Sequence, residues 1–368
     1  MNEKYALLES LLEKHGYDAA AFIPSASFTW LTGKSKDLME RPVVVLVRPG
    51  MKPALVIAGF EVAAAPEWVA PFEIFSYSDD PAEWADAFRQ AGKYLKLNGK
   101  KIAVEPLHFR FLEYNFLREA VPDCEIVGAA PLFTELRIRK TEQDLADIRK
   151  AAVIAQDALE ATLKIVRPGV TERQLSSELV ANLLRLGSEP KFPFDPIVGS
   201  GPNSADPHHG VSDREVQRGD FLLFDWGARW NGFCSDITRT FVIGEAADWQ
   251  IEIYNTVLAA NRAALKAVRP GVSCGSIDAA ARSVIDAAGY GEYFTHRLGH
   301  GLGMEDHEEP YMFGGNPVLL EPGMCFSDEP GIYLAGRGGV RIEDDLTCTA
   351  DGGACITDMP RELRILCK

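Results

Sequence analysis

Short apolar runs alternate with amphipathic segments over the first 130 or so residues. Leu8, Leu11 and Leu12 recur at helical spacing, and Asp80 followed by Pro81 starts a predicted helix that runs to about Leu97. A further helix is predicted over 108–119. The apolar runs predict strands at 19–23, 43–47, 54–58, 72–77, 101–104 and 124–127. The pattern therefore predicts an α/β unit of a common domain size, and we find no catalytic motif in it.

A long amphipathic helix is predicted to open a second domain. Thr141 begins a capping-box pattern with Asp144, and apolar residues continue at helical spacing from Leu145 to Leu163. The sequence LKIVRPGV at 163–170 recurs as LKAVRPGV at 265–272, an offset of 102 residues (265 − 163). A repeated segment of this kind predicts two similar α/β halves, each a pair of helices followed by strands.

Helix boundaries agree with the repeat. Thr171 and Ser273, one offset apart, are both candidate N-caps. Gly187 and Gly289, again one offset apart, are both candidate C-terminal glycines of a helix. Because a shared cap, apolar face and terminating glycine are not expected by chance, we interpret the repeat as structural.

An acidic hairpin is predicted at 221–241, FLLFDWGARWNGFCSDITRTF, with WGARWNG as its turn. Alternation places Asp225 on one face of the first strand and Asp236, Thr238 and Thr240 on one face of the second. Inward carboxylates are costly unless a positive group meets them. This stretch alone is equally compatible with a functional site and with a solvated edge hairpin.

The second half of the repeat supplies two more acids, Glu329 in FSDEPGIY and Glu343 in GGVRIEDDL. If each half contributes one hairpin with two carboxylates and the halves face each other, four carboxylates converge. Such a group needs cations to stay ionised. His300, between two glycines in HRLGHGLGMEDHEEP, adds a nitrogen ligand. Four oxygens and one nitrogen suit Mn²⁺, Co²⁺ or Zn²⁺, and two such ions sharing a hydroxide would hydrolyse an amide.

Composition narrows the classes of partner. The chain has 368 residues, 46% hydrophobic and 25% charged, as expected for a soluble globular protein of two or three domains. Its net charge of −15 argues against nucleic acid or an anionic membrane as the main partner. Seven cysteines without a CxxC pair, an N-terminal segment unlike a signal or transit peptide, and the lack of a long apolar run predict a cytoplasmic protein.

DWGARWNGFCSDITRTF, GHGLG, EPGIY and GVRIED together resemble the metal-dependent peptidases of the pita-bread fold, in the Xaa-Pro dipeptidase (prolidase) and aminopeptidase P branch. The resemblance covers nearly the whole chain. It implies an α/β (α+β) protein with a creatinase-like N-terminal α/β domain over 1–132. A pseudo-twofold pita-bread catalytic domain would follow over 133–368.

The resemblance also implies a ligand set for two divalent metal ions. Asp225 would be a ligand of one ion, and His300 and Glu329 would be ligands of the other. Asp236 and Glu343 would bridge the two ions. Manganese or cobalt is expected ahead of zinc.

Further site residues follow from the same resemblance. His208 and His307 would line the substrate site and stabilise or protonate the tetrahedral intermediate, and Glu329 would handle the proton of the attacking water. Arg341 alternates in phase with Glu343, so we expect it to face the same cavity and contact substrate. His209 is expected to be a neighbour without a role.

The implied reaction is hydrolysis of the bond before proline in short peptides by a hydroxide that bridges the two ions, in a homodimer. A metal-free C–N hydrolase of the creatinase type and a non-catalytic peptide-binding module on the same fold are the alternatives. Creatinases have lost the ligand set, whereas all five positions here hold Asp, His or Glu. HEEPYMFGGN has no arginine directly after Pro310, which argues slightly against a strict dipeptidase.

Overall fold

The computed structural model of the protein describes residues 2–367. Contacts divide the chain into two compact units, one ending at Arg137 and the other beginning at Ile138. Each unit buries its own apolar clusters. None of the helices in residues 2–367 is long and apolar enough to cross a membrane.

The N-terminal unit is built on one sheet, in which the described strands follow the order β4-β3-β2-β1-β5-β6. Its strands are β1 (Ala19–Phe22), β2 (Val44–Val47), β3 (Ala54–Ala58), β4 (Glu73–Tyr77), β5 (Lys101–Val104) and β6 (Glu125–Gly128). Its helices are α1 (Asn2–His15), α2 (Ala26–Thr32), α3 (Gly59–Ala64), α4 (Pro66–Val69), α5 (Trp84–Tyr94), α6 (Phe111–Ala120) and α7 (Ala130–Arg137). β2 runs antiparallel to both of its neighbours, and the other pairs are parallel.

Local signals explain most of these elements. The predicted strands at 54–58 and 101–104 coincide with β3 and β5. The side chain of Asp80 accepts a hydrogen bond from the Ala82 N–H, as an N-cap should, but the first turn is a 3₁₀ turn and α5 begins only at Trp84. Helix α2, capped by Ser25, was not predicted, because a helix of seven residues is too short to show a clear periodicity.

The second unit contains four long helices and several small sheets. Its helices are α8 (Glu142–Thr162), α9 (Glu172–Arg185), α10 (Asp248–Ala267) and α11 (Cys274–Ala287). Its strands are β7 (Ile197–Ser200), β8 (Phe221–Trp226), β9 (Arg229–Trp230), β10 (Phe233–Cys234), β11 (Ile237–Ile243), β12 (Gly299–Gly301), β13 (Glu308–Met312), β14 (Cys325–Asp328), β15 (Gly331–Leu334), β16 (Gly338–Arg341), β17 (Asp344–Thr349), β18 (Gly352–Cys355) and β19 (Arg364–Leu366). The sheets have the orders β19-β11-β8-β7 and β13-β12-β14-β17-β18, with β9–β10 and β15–β16 as separate pairs.

The repeat in the sequence corresponds to a repeat in the fold. Helices α9 and α11 are each 14 residues long and begin 102 residues apart (274 − 172). Thr171 and Ser273 cap them, each accepting a hydrogen bond from a backbone N–H three residues on. Gly187 and Gly289 follow them with φ of 103° and 84°. The two halves therefore each present a helix pair followed by strands, as predicted.

Candidate metal centre

The first two carboxylates come from the β8–β11 hairpin. β8 pairs with β11 in antiparallel register, with Asp225 opposite Thr238, and Asp236 lies directly before β11. The tip of the hairpin turns at Asn231 and Gly232, whose positive φ values of 49° and 80° suit a tight two-residue turn. The turn and the register together bring both aspartates to the same end of the sheet.

The second pair of carboxylates is placed differently from the expected hairpin. Glu329 directly follows β14 and Glu343 directly precedes β17, and β14 pairs with β17. The β15–β16 hairpin lies between them in sequence. The Glu343 N–H donates to the Thr238 carbonyl oxygen at 3.1 Å, so the two sheets meet next to the first pair of acids.

His300 lies on β12, and its glycine neighbours allow close strand packing. A Cβ on Gly299 would lie 2.0 Å from the Ser327 carbonyl oxygen, and one on Gly301 would lie 2.4 Å from that of Glu309. The His300 side chain is 3% exposed. Its Nδ1 is 3.1 Å from the Gly301 carbonyl oxygen, so this nitrogen carries the proton and Nε2 faces the acids with its lone pair.

The arrangement of these donor atoms fits divalent cations. Ligand atoms of Asp236, His300 and Glu343 lie within 4.8 Å of one another. His300 Nε2 is 3.5 Å from Asp236 Oδ2 and 3.4 Å from Glu329 Oε1. Within residues 2–367, Oδ1 of Asp225 and Oδ1 of Asp236 are buried and have no hydrogen-bond partner. Buried acceptors without donors are costly, and a cation at this point would satisfy them.

The electrostatics of the cluster also favour a bound cation. Burial, reinforced by Glu343 and Asp225, raises the pKa of Asp236 well above its ordinary value, and burial with Glu329 and Asp225 does the same to the pKa of Glu343. Burial raises the pKa of Glu329 to about 7. Burial lowers the pKa of His300 to about 3, so its imidazole is neutral, which is the form that ligates metals. Without cations the acids would hold protons instead.

A pH dependence of stability follows for the metal-free protein. The folded state raises the pKa of Glu329 from 4.5 to about 7, so over this window it binds more protons than the unfolded state. The free energy of unfolding contributed by Glu329 therefore falls as pH rises through the window. Chelated wild type should lose stability relative to chelated Glu329→Gln between pH 4.5 and 7, as measured by urea unfolding. The same change in the free energy of unfolding with pH in both proteins would contradict this prediction.

Arg341 connects the cluster to two further side chains. Its guanidinium donates to Asp225 Oδ2 at 2.6 Å, to Thr238 Oγ1 at 3.0 Å and to the Tyr333 hydroxyl at 2.9 Å. The Tyr333 oxygen lies 2.8 Å from His296 Nε2. Asp225 thus has one oxygen bonded to Arg341, while its other oxygen is buried and has no hydrogen-bond partner among residues 2–367. Sequence reasoning did not assign His296, although its place four residues before His300 in the same motif was a usable signal.

A cavity of about 530 Å³ opens over the cluster and is lined by all eight predicted site residues. The ring of His307 stacks on that of His300, with centroids 3.7 Å apart, while its Nδ1 is 3.1 Å from Asp306 Oδ2. His208 lies on the exposed segment that follows β7. The cavity is also lined by Phe194, Asp195, Ile197, Pro207, His296 and Arg297.

Family models agree with this architecture. The model described as metallopeptidase family M24 matches residues 146–350, which is more than half of the chain. The model described as the creatinase/prolidase N-terminal domain matches residues 5–139. The chain belongs to metallopeptidase family M24. Membership implies divalent metal ions as cofactors, in agreement with the donor atoms described above.

Several relatives of this M24 metallopeptidase are similar over nearly their full lengths. An Xaa-Pro dipeptidase from Lactobacillus delbrueckii subsp. lactis is 36% identical, with 98% of each chain covered. A dipeptidase structure from Pyrococcus horikoshii OT3 has a TM-score of 0.92 at 34% identity, covering 99% of this chain and 100% of that one. An X-Pro aminopeptidase structure from Thermotoga maritima MSB8 has a TM-score of 0.85 at 31% identity, covering 96% and 99%. The M24 metallopeptidase therefore has the prolidase fold: a creatinase-like N-terminal domain, then a pita-bread domain.

A buried ion pair holds the segment that carries His307 in this M24 metallopeptidase. Lys140 Nζ lies 2.7 Å from Glu308 Oε1, and the two side chains are 2% and 6% exposed. A Cβ on Gly303 would lie 2.6 Å from the same Glu308 oxygen, so the segment packs tightly around the pair. Glu308 immediately follows His307, and the pair therefore fixes the backbone beside that imidazole.

Lys140→Met should destabilise the protein strongly. It removes the ammonium group of a buried ion pair with Glu308, which costs about 3 kcal/mol in the free energy of unfolding. Arg139→Met is the matched control, because the adjacent Arg139 pairs with Glu321 at the surface, where an ion pair contributes about 1 kcal/mol or less. Urea unfolding of the two variants measures the difference. Equal decreases in the free energy of unfolding of the two variants would show that the buried pair stabilises the protein no more than the surface pair does.

Proposed function

We propose that this protein is a two-metal peptidase that hydrolyses the bond before proline in short peptides. The observation that carries the proposal is the convergence of four carboxylates and one neutral imidazole at the base of a cavity that two more histidines line. Asp225 would hold one ion, His300 and Glu329 would hold the other, and Asp236 and Glu343 would be shared between the two. The bound ions would activate a water molecule and polarise the carbonyl oxygen of the scissile bond.

Side chains of the protein handle the protons and the developing charge. Glu329 accepts a proton from the attacking water, and its Oε1 is already oriented by a hydrogen bond from Ser327 Oγ at 3.0 Å. His307 and His208 line the cavity, where they stabilise the oxyanion and protonate the leaving amine. Arg341 keeps the Asp225 carboxylate in its ligating orientation.

The lining of the cavity supports a small substrate with a proline ring. Phe194, Ile197 and Pro207 form an apolar wall that suits a pyrrolidine ring. Arg297 also lines the cavity, and its guanidinium lies 4.3 Å over the ring of Tyr311. We assign Arg297 to the free carboxylate of a dipeptide, a cation that the sequence after Pro310 does not provide. The relatives named Xaa-Pro dipeptidase support the same substrate class.

The assignment of Arg297 predicts a loss that depends on substrate charge. Arg297→Met should lower kcat/KM for an Xaa-Pro dipeptide roughly 10- to 100-fold, because a charge-assisted hydrogen bond contributes about 1.5–3 kcal/mol. The same dipeptide with an amidated carboxyl end should change little, which makes it the internal control. Kinetics on both substrates decide. Equal losses would place the carboxylate elsewhere in the cavity.

The function itself is tested by metal removal and return. Treatment with a chelator should abolish hydrolysis of Xaa-Pro dipeptides, and Mn²⁺ or Co²⁺ should restore it better than Zn²⁺. A tripeptide Xaa-Pro-Yaa measured alongside tests whether dipeptides are preferred. Failure of every metal to restore activity on either substrate would contradict the proposal, and metal-free protein with C–N hydrolase activity would favour the creatinase-type alternative.

We further propose that the protein is a cytoplasmic homodimer, with catalysis in the domain predicted over 133–368. Several large apolar side chains of the N-terminal unit are exposed, among them Phe60, Leu107 and Phe111, and a second copy could cover them. Within residues 2–367 all seven cysteines are free thiols, as suits a reducing compartment. Sedimentation equilibrium tests the dimer, and a monomer at micromolar concentration would contradict it.

A further inference from the structure

One buried carboxylate organises the whole segment that carries His208. Glu172, the first residue of α9, is 0% exposed. Its Oε1 accepts hydrogen bonds from the Ser200 N–H at 2.7 Å, the Ser200 hydroxyl at 2.8 Å and the Asn203 amide at 3.0 Å. Its Oε2 accepts from the Ser212 hydroxyl at 2.6 Å and lies 2.8 Å from His209 Nε2. The donors span both ends of the segment 200–212.

The charge on Glu172 is stable in this position. Burial raises its pKa, but the hydrogen bonds from Ser212, His209, Ser200 and Asn203 outweigh burial and hold the pKa below the ordinary value. As an acid in the first turn of α9, it also interacts favourably with the helix dipole. The carboxylate is therefore ionised at neutral pH and can accept from all of its donors at once.

Adjacent histidines of this segment have different surroundings. His208 lines the cavity over the candidate metal centre, whereas His209 turns back to Glu172. Asp206 binds the backbone of both histidines. Its Oδ1 accepts a hydrogen bond from the His208 N–H at 3.0 Å, and its carbonyl oxygen accepts one from the His209 N–H. Because the backbone between the two rings is short and hydrogen-bonded, fixing His209 also fixes the direction of His208.

The same segment is tied to the strand that ends at Arg341. Ser204 Oγ donates to the Gly201 carbonyl oxygen at 2.6 Å and accepts from the Gly339 N–H at 2.9 Å. A Cβ on Gly339 would lie 2.4 Å from the Ser204 carbonyl oxygen, so the two backbones are in close contact. The position of the segment is thereby set relative to β16 as well as to α9.

We propose that Glu172 and His209 are positioning residues that hold the His208 imidazole at the substrate. The inference rests on the proposed peptidase function of this site, and it gives His209 a role that the sequence did not predict. Exposed loops do not by themselves hold a side chain to the tolerance that catalysis needs, which is about 0.5 Å. A misplacement of about 1 Å costs up to about 100-fold in rate. The hydrogen bonds that Glu172 accepts from both ends of the segment 200–212 supply that rigidity.

Glu172→Gln tests the proposal, with Glu178→Gln, at a partly exposed position of the same helix, as the matched control. In the metal-loaded protein, kcat on an Xaa-Pro dipeptide should fall roughly 10- to 100-fold for Glu172→Gln, with KM and bound metal nearly unchanged. The control should stay within about twofold of wild type. Added to His208→Ala, Glu172→Gln should cause no further loss, because the residue it positions is already absent. Multiplicative losses would overturn the proposal.

Hydrogen exchange gives a readout that does not depend on activity. The amides of His208 and His209 should exchange faster in Glu172→Gln than in wild type or in Glu178→Gln, even if the protein hydrolyses no Xaa-Pro peptide at all. His209→Ala provides a milder variant if Glu172→Gln fails to fold, and His209→Gln, which keeps a donor toward Glu172, should recover part of the lost protection. Unchanged amide exchange in both Glu172→Gln and His209→Ala would overturn the positioning role. A metal-loaded wild-type protein that hydrolyses no Xaa-Pro peptide would instead overturn the proposed function.

Discussion

Asp236→Asn is expected to abolish peptide hydrolysis, lowering kcat/KM on the order of 10³-fold or more. Asp236 is buried, its N–H donates to Asp345 Oδ2 at 3.1 Å, and its own Oδ2 lies 3.5 Å from His300 Nε2. Asparagine has nearly the same shape but supplies only one uncharged oxygen. The proposed bridge between two cations would therefore be lost, while the backbone around it is retained.

Three measurements distinguish loss of the bridge from loss of the fold. Metal content by mass spectrometry should drop from two ions per chain to one or fewer. The melting temperature of the chelated variant should be no lower than that of chelated wild type, because burial and neighbouring acids already disfavour the charge on Asp236. Asp213→Asn, an exposed aspartate that pairs with Arg173, is the control and should remain active. A variant that keeps both ions and a tenth of the activity would contradict the bridging role.

Elements that follow from neighbouring residues were predictable from the sequence. Strands β3 and β5, the capped starts of α9 and α11, and the glycines that follow those helices all depend on a few adjacent side chains. The offset of 102 residues predicted the two related halves because repeated local signals must give repeated local structure. Alternation along the sequence likewise predicted a hairpin with Asp225 on one face of its first strand and Asp236 on one face of its second, and β8 does pair with β11.

Features that depend on distant pairing were not predictable. Glu329 and Glu343 were expected within one hairpin, but β14 pairs with β17 across the whole β15–β16 hairpin, and the acids lie where the chain leaves those strands. The contact between Glu172 and His209 joins residues 37 positions apart and leaves no periodic signal. In both cases the partner is chosen by packing of the completed sheets, which a local pattern cannot represent.

The proposed ions and Arg341 both offset the negative charge of Asp225, so the contribution of Arg341 to stability should depend on whether the ions are bound. Arg341 is 3% exposed, and its guanidinium bonds Asp225, Thr238 and Tyr333. In metal-free protein it is the cation bonded directly to the Asp225 carboxylate within the described residues. In metal-loaded protein the ions would offset much of the same negative charge. Arg341 should therefore matter most for stability when the ions are absent.

Arg341→Met is accordingly expected to lower the free energy of unfolding by about 5 kcal/mol in chelated protein, because a buried carboxylate is left unpaired, and by much less with Mn²⁺ present. It should also lower kcat/KM roughly 10- to 100-fold, since Asp225 loses the group that orients it. Arg341→Lys keeps the charge but cannot reach three partners at once, so it should recover stability more than activity. Urea unfolding with and without Mn²⁺, beside kinetics on an Xaa-Pro dipeptide, measures both effects. Equal destabilisation in the two conditions would mean that the ions do not share this charge.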